Sequence, residues 1–190
     1  MNNKYKKLTS FASVSVVLLF IYVVLDMMYT DISIGRNVFY VYLGIWGFTI
    51  IYALILSVKL MENSNKPGFE PDFEAAHKAK KKLIGIYIVH YILQTYLFAS
   101  MGKWWYWHPL IATFLIHYFG SKGMFFVMFA TSAELIIPTV KVIKRGYAAN
   151  KFSAKDTVLP ILSTVFLLVF ILDLVGTKLL QSWYKENKDL

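Results

Sequence analysis

The chain alternates long, sparsely charged apolar runs with short lysine-rich segments, and this alternation restricts its possible folds more than any motif it contains. Five runs have the roughly 17–25 residues that a helix needs to cross a hydrocarbon core about 30 Å thick. They cover residues 8–28, 38–57, 83–101, 124–140 and 157–180. A backbone in lipid must satisfy its own hydrogen bonds, so such runs are expected to be helices. The fold class that follows is all-α: a polytopic transmembrane helical bundle of five spans, or six if residues 104–119 also cross. Composition agrees, because only 16% of the 190 residues are charged, against about 25% in soluble domains. The whole chain reads as a single integral membrane domain.

The first run follows Lys4, Lys6 and Lys7 and resembles the start of a secretory signal. It exceeds the roughly 7–15 residues of a signal's apolar core and ends among Asp26 and Asp31, so a retained first span is expected.

Residues 104–119, WWYWHPLIATFLIHYF, are ambiguous. Their aliphatic part from Pro109 would be about 17 Å long as a helix, too short to cross alone. Basic residues accumulate on the cytoplasmic side of membrane proteins. Five passes put 14 Lys and Arg inside against 5 outside, whereas six passes give 13 against 7. The expected topology therefore has five passes, with the N-terminus and the 61–82 loop cytoplasmic and the C-terminus outside. Residues 104–119 then form an aromatic-rich interfacial or re-entrant segment. The net charge of +9 is explained by topology and anionic headgroups, so no nucleic-acid partner is expected. Lysine outnumbers arginine 18 to 2, the bias of an AT-rich bacterial genome.

Ionisable groups inside a bilayer are expensive, at about 2.5–3.5 kcal/mol for Asp, Lys or Arg at a helix centre, so they are the first candidates for function. His90 and Glu134 fall about 12 and 10 Å from the lysines that bound their spans, Lys82 and Lys141, and are expected to form an intramembrane polar pair. Tyr87, Tyr91 and Gln94 share a helical stripe with His90, and Thr131 accompanies Glu134. Asp26, Arg36, Lys103 and Asp173 are expected near the outer surface, solvated or paired among themselves. Lys78, Lys80, Lys81 and Lys82 form a juxtamembrane cluster suited to anionic lipid.

No metal or cofactor site is expected. His108 and His117 are nine residues apart and fall on opposite helix faces. Glu74 and His77 have Glu-x-x-His spacing without the second motif that such metal bundles use. The chain has no cysteine and no recognisable catalytic motif. Three function classes follow. The preferred one is a non-enzymatic accessory of the plasma membrane, such as an immunity protein or a machine-associated subunit, whose partners are the bilayer and another membrane protein. The second is a small-solute carrier, or a transporter's substrate-binding subunit, with a pocket formed by residues 104–123, His90 and Glu134. The third is an interfacial lipid- or quinone-modifying enzyme using His108 or His117.

Overall fold

The computed structural model describes residues 3–28, 32–100, 122–167 and 172–189. These residues form six helices and, among those described, no strand. In chain order they are α1 (Asn3–Met27), α2 (Ile32–Ser64), α3 (Phe73–Ser100), α4 (Gly123–Ala148), α5 (Ala154–Phe166) and α6 (Asp173–Asn187). Three stretches, Tyr5–Met27, Asn37–Ser64 and Gly123–Ala148, are long and apolar enough to cross a membrane. Residues 104–119, and with them Lys103, His108 and His117, lie outside the described residues.

Side-chain contacts fix the helix directions. Phe11 packs on Phe48 and Tyr52, with ring centroids 5.1 and 5.4 Å apart, while Tyr22 meets Phe39 at 5.0 Å. Residue numbers rise along α1 as they fall along α2, so the two are antiparallel. Helix α4 runs parallel to α2. Its Gly123 faces Trp46 and Ile50, and its Lys141 Nζ donates to the Asn65 carbonyl at 2.6 Å. On α3, His90 reaches Tyr42 and Trp46. The start of α1, the end of α2, the start of α3 and the end of α4 therefore gather at one end, called here the polar end.

The interior mixes large apolar side chains, Leu8, Leu19, Trp46 and Met124 among them, with alanines and hydroxylated residues. Thr49, Ser57 and Thr139 are buried and donate to the carbonyls four residues back, which disposes of their protons within the helix. Large apolar side chains also point outward: Val17 and Phe20 on α1, Ile51 and Val58 on α2, each more than half exposed. An apolar exterior is what lipid allows, since hydrocarbon solvates large apolar side chains as well as a protein interior does.

The apolar run 157–180 departs from the expected single span. It is divided between α5 and α6, which pack against each other. Phe152, just before α5, lies 5.9 Å from Trp183 near the end of α6, so the two helices form an antiparallel hairpin. Hydropathy reads the length of a run and not its direction, and for that reason it joined two short helices into one. Lys188 Nζ pairs with Glu70 at 3.0 Å, which brings the C-terminal segment back to the polar end. The expectation of opposite ends for the two termini is thereby corrected. Within 61–82, α2 continues to Ser64 and α3 begins at Phe73, so the helix of the third apolar run extends back through the lysines, as the helix formers of 73–82 suggest.

Local chemistry builds the turn from α4 into the hairpin. Asn150 takes the left-handed conformation, with φ of 54°, that ends many helices. The amides of Lys151 and Phe152 both donate to the Gly146 carbonyl. Gly146 is required here because a Cβ would fall on the Phe152 ring. Ser153 then starts α5 through a capping box with Asp156.

Candidate functional site: a buried charge cluster at the polar end

Lysines 78 to 82 do not act as one patch. At about 100° per residue, Lys78, Lys81 and Lys82 point outward together while Lys80 points the other way. Lys80 joins Ala76, Ala79 and Leu83 on the buried stripe of α3, and it is wholly buried. Its ammonium donates to Asp173 Oδ1 and, at 2.7 Å, to Thr177 Oγ1. Thr177 in turn donates to the Asp173 carbonyl at 2.8 Å. Asp173 is 1% exposed, so neither charge has water to replace its partner. The Ser132 side chain of α4 stands beside Asp173, and Glu134 lies within electrostatic reach of Lys80.

Glu134 is also wholly buried, and its Oε1 accepts a 2.5 Å hydrogen bond from the Tyr5 hydroxyl of α1. One cluster thus joins α1, α3, α4 and α6. A cavity of about 440 Å³ opens beside it under the 60–69 segment. Asn63, Lys66, Gly68 and Phe69 line that cavity together with Glu134. Gly68 has a φ of 74°, a backbone conformation that turns the segment over the cavity and that other residues resist.

His90 belongs to a separate layer. Its Nε2 lies 2.9 Å from the Tyr42 hydroxyl, and its ring packs on Trp46 at 4.7 Å. Gln94 lies beside the same Tyr42 hydroxyl. The expected pairing of His90 with Glu134 is therefore replaced by two separate pairings. Lys82 is a poor origin for depth, because the inward Lys80 already lies at the level of the charge cluster. His90 is ten residues further on, about 15 Å deeper.

No family model, curated protein or solved structure matches this chain. Its chemistry is read from its own side chains.

The remaining candidates divide by exposure. Tyr91 is 53% exposed and points away from the bundle, and Tyr87 is half-buried, so the expected stripe contributes only His90 and Gln94 to the interior. Thr131 is buried and donates to the Met128 carbonyl of its own helix. Asp26 is half-buried near the end of α1, and Arg36 lies in the opening turns of α2. Asp173 is not an outer-surface charge, since Lys80 holds it inside the bundle. Of the lysine cluster, Lys78 pairs with Glu74 at 2.6 Å, Lys81 and Lys82 are exposed, and the buried Lys80 cannot meet a headgroup. That pairing holds the Glu74 carboxyl below its usual range. Burial, with Lys178, Lys80 and Lys81 nearby, holds the His77 imidazole below its own. Among the described residues no three His, Asp or Glu side chains converge as metal ligands.

Sequence reasoning missed Tyr5, Tyr42 and Thr177, and it misplaced Lys80. The helical phase of Ala76, Ala79, Lys80 and Leu83 carried a signal for Lys80, since a lone lysine on a stripe of small and apolar residues points inward. Nothing local marked Tyr5, whose partner is 129 positions away.

Proposed function

We propose that this protein is a multi-pass integral protein of the plasma membrane that works as a non-enzymatic accessory, either an immunity protein or a subunit of a larger membrane machine. Helices α1, α2 and α4 cross the bilayer, and α3 crosses as a fourth with its part beyond Lys82. Four crossings return the N-terminus, the 65–72 and 149–153 connections and the C-terminal segment to one side. Those segments and the adjoining helix ends carry all but Arg36, Lys103 and Lys122 of the 20 basic residues, which supports a cytoplasmic location for them.

One observation supports the accessory role above the others. Three sets of buried polar side chains bond across helices, Tyr5 to Glu134, Lys80 to Asp173 and Thr177, and Tyr42 to His90. Such matching fixes helix register and leaves recognition to the outer surface. Photo-crosslinking in native membranes tests this. A benzophenone amino acid placed in turn at Phe20, Phe48, Ile55 and Phe125, all exposed, should give a discrete protein adduct from at least one position. Lipid adducts alone from all four would overturn the proposal.

The cavity beside Glu134 favours a second reading, a small-molecule-binding membrane subunit. Its pocket is at the polar end and excludes His90, unlike the pocket expected from the sequence. A solute that raises the Tm of the purified protein, and fails to do so in Glu134→Gln, would establish it. A flat response across a metabolite panel would dismiss it.

A further inference from the structure

We infer that the outward face of α3 and the flank of α6 beside it form a binding site for one anionic phospholipid of the cytoplasmic leaflet, with His77, Lys81 and Lys178 around the headgroup phosphate and Gly85, Ile88 and Ile92 along an acyl chain. This rests on the membrane reading above. Two helices build the site, in place of the single run of four lysines that the sequence suggests.

Helix packing brings the charges together. Lys80 meets Asp173, and Phe73 meets Tyr184 with ring centroids 5.4 Å apart, so α6 runs antiparallel to α3 and lies beside the part of it that precedes the exposed Lys81 and Lys82. Long side chains on a helix lean toward its N-terminus. In this antiparallel pair the Lys81 ammonium therefore leans away from the bilayer and the Lys178 ammonium toward it, and both approach the level of His77. The half-buried His77 ring is within electrostatic reach of both lysines.

The positive charge at this level is only partly answered by the protein. Lys80 is paired with Asp173. Glu74 lies within electrostatic reach of Lys178, but Lys78 holds it at 2.6 Å. Lys81 and Lys178 are both exposed and, among the described residues, neither makes an ion pair or a side-chain hydrogen bond. A phosphate between them would meet two ammonium groups and the edge of an imidazole, which are strong donors to an anion.

Below Lys81, toward the crossing part of α3, the same helix face carries Gly85, Ile88 and Ile92, four, seven and eleven residues on. Ile88 and Ile92 are 52% and 60% exposed, and a Cβ on Gly85 would meet nothing within 4 Å. A glycine inside a helix costs about 1 kcal/mol relative to alanine, and no neighbouring helix requires this one. It leaves a notch one turn below Lys81 where an acyl chain can lie against the backbone. The basic level continues directly into this apolar strip. A soluble phosphate or an acidic peptide would use the first and leave the second bare, whereas an anionic lipid carries a group for each.

Native mass spectrometry of the purified full chain tests the site. The protein is titrated in detergent with phosphatidylglycerol and, separately, with phosphatidylcholine of the same acyl chains, and the Kd of the first bound lipid is read for each. Phosphatidylglycerol should bind about tenfold tighter or more. Lys81→Gln and Lys178→Gln should each weaken it about fivefold and leave phosphatidylcholine unchanged. Lys144→Gln and Lys151→Gln, exposed elsewhere at the polar end, should alter neither lipid. Gly85→Leu should weaken phosphatidylglycerol several-fold without lowering the Tm. Equal affinity for the two lipids would overturn the inference, and so would equal losses at 144 and 151, which would mean diffuse attraction to a basic surface. Displacement of phosphatidylglycerol by millimolar inorganic phosphate, with Gly85→Leu silent, would assign the lysines to a soluble anion and overturn the lipid. Should a glutamine variant fail to accumulate, Lys178→Met replaces it. Lys178→Arg should bind as the natural protein does, and a loss there would mean that Lys178 acts through packing and not charge, which also overturns the site. The two levels of the argument separate cleanly. A chain that stays monomeric and folded in buffer without detergent fails the membrane reading, whereas one that needs detergent and binds both lipids alike loses this inference alone.

Discussion

The Lys80–Asp173 cluster and the His90–Tyr42 contact lie about 15 Å apart along α3, and they stabilise the bundle by different chemistry. Near the polar end, full charges are buried, and each is answered by an opposite charge or a strong donor: Lys80 by Asp173 and Thr177, Glu134 by Tyr5. Deeper in, an imidazole and a phenol share a hydrogen bond while a Trp ring covers one side. The cost of an unmatched charge rises with distance from water, so ion pairs stay near the helix ends and uncharged pairs serve the middle. The first layer holds its helices by penalty, since losing one partner strands the other. The second contributes only the net value of a hydrogen bond.

That contrast is most open to attack at Lys80. Lys80→Met leaves Asp173 buried without its cation, and the loss should be about 3–5 kcal/mol. Melting of the purified protein in detergent measures it. Adding Asp173→Leu removes the stranded carboxylate, so the double variant should recover most of the Tm. A double variant no more stable than Lys80→Met would show that the pair is not the source of the penalty.

A paired comparison sharpens the difference between layers. Tyr5→Phe removes a donor from a carboxylate and should cost about 1.5–3 kcal/mol. Tyr42→Phe removes an uncharged bond inside the bundle and should cost nearer 0.6 kcal/mol, roughly the average for interhelical bonds in membranes. If the two variants melt alike, depth does not grade these interactions and the distinction fails.

The sequence made the helices legible and the pairings illegible, for physical reasons. Apolar length reports the solvent of a segment, so α1, α2 and α4 were visible as runs of the right size. Direction is a different quantity: the run 157–180 has the length of a crossing but folds back, because Asp173 finds Lys80 and Phe152 packs on Gly146. The reading of four lysines as one lipid-facing cluster fails for a related reason. It treated Lys80 as one of four equivalent lysines, although the phase of Ala76, Ala79 and Leu83 already turned it inward. His90 and Glu134 are both buried. Their partners, Tyr42 and Tyr5, are set by how whole helices register, which no local pattern contains.

The hairpin's attachment has a third point of test at Gly146. Gly146→Ala places a methyl group on the Phe152 ring and forces the 149–153 turn away from α4. Overpacking of this kind costs about 1–3 kcal/mol. Limited proteolysis should show faster cleavage near Lys151 without a change in the rest of the bundle. Unchanged cleavage would mean that the ring moves aside freely and that Gly146 does not anchor the hairpin.

The smallest expected effect is at the exposed start of α5, where water is present and charge is inexpensive. The Ser153 amide and hydroxyl donate to Asp156 Oδ2 at 2.7 and 2.8 Å and hold its carboxyl below the usual range. A carboxyl whose folded value lies below its unfolded one contributes stability above the unfolded value and loses it as pH falls through the folded one. Asp156→Ala should therefore lower the Tm slightly at neutral pH, and the gap to the natural protein should begin to shrink below pH ~4, the unperturbed aspartate value, and close once the pH is under the lowered folded value. The buried Lys80–Asp173 pair answers to a different variable, the presence of its partner, so the pH dependence of the Asp156 gap should persist in a Lys80→Met background. A gap that stays constant with pH would place the stabilisation of this cap in the Ser153 hydroxyl rather than in the carboxylate, and would detach the start of α5 from the electrostatics that govern its far end.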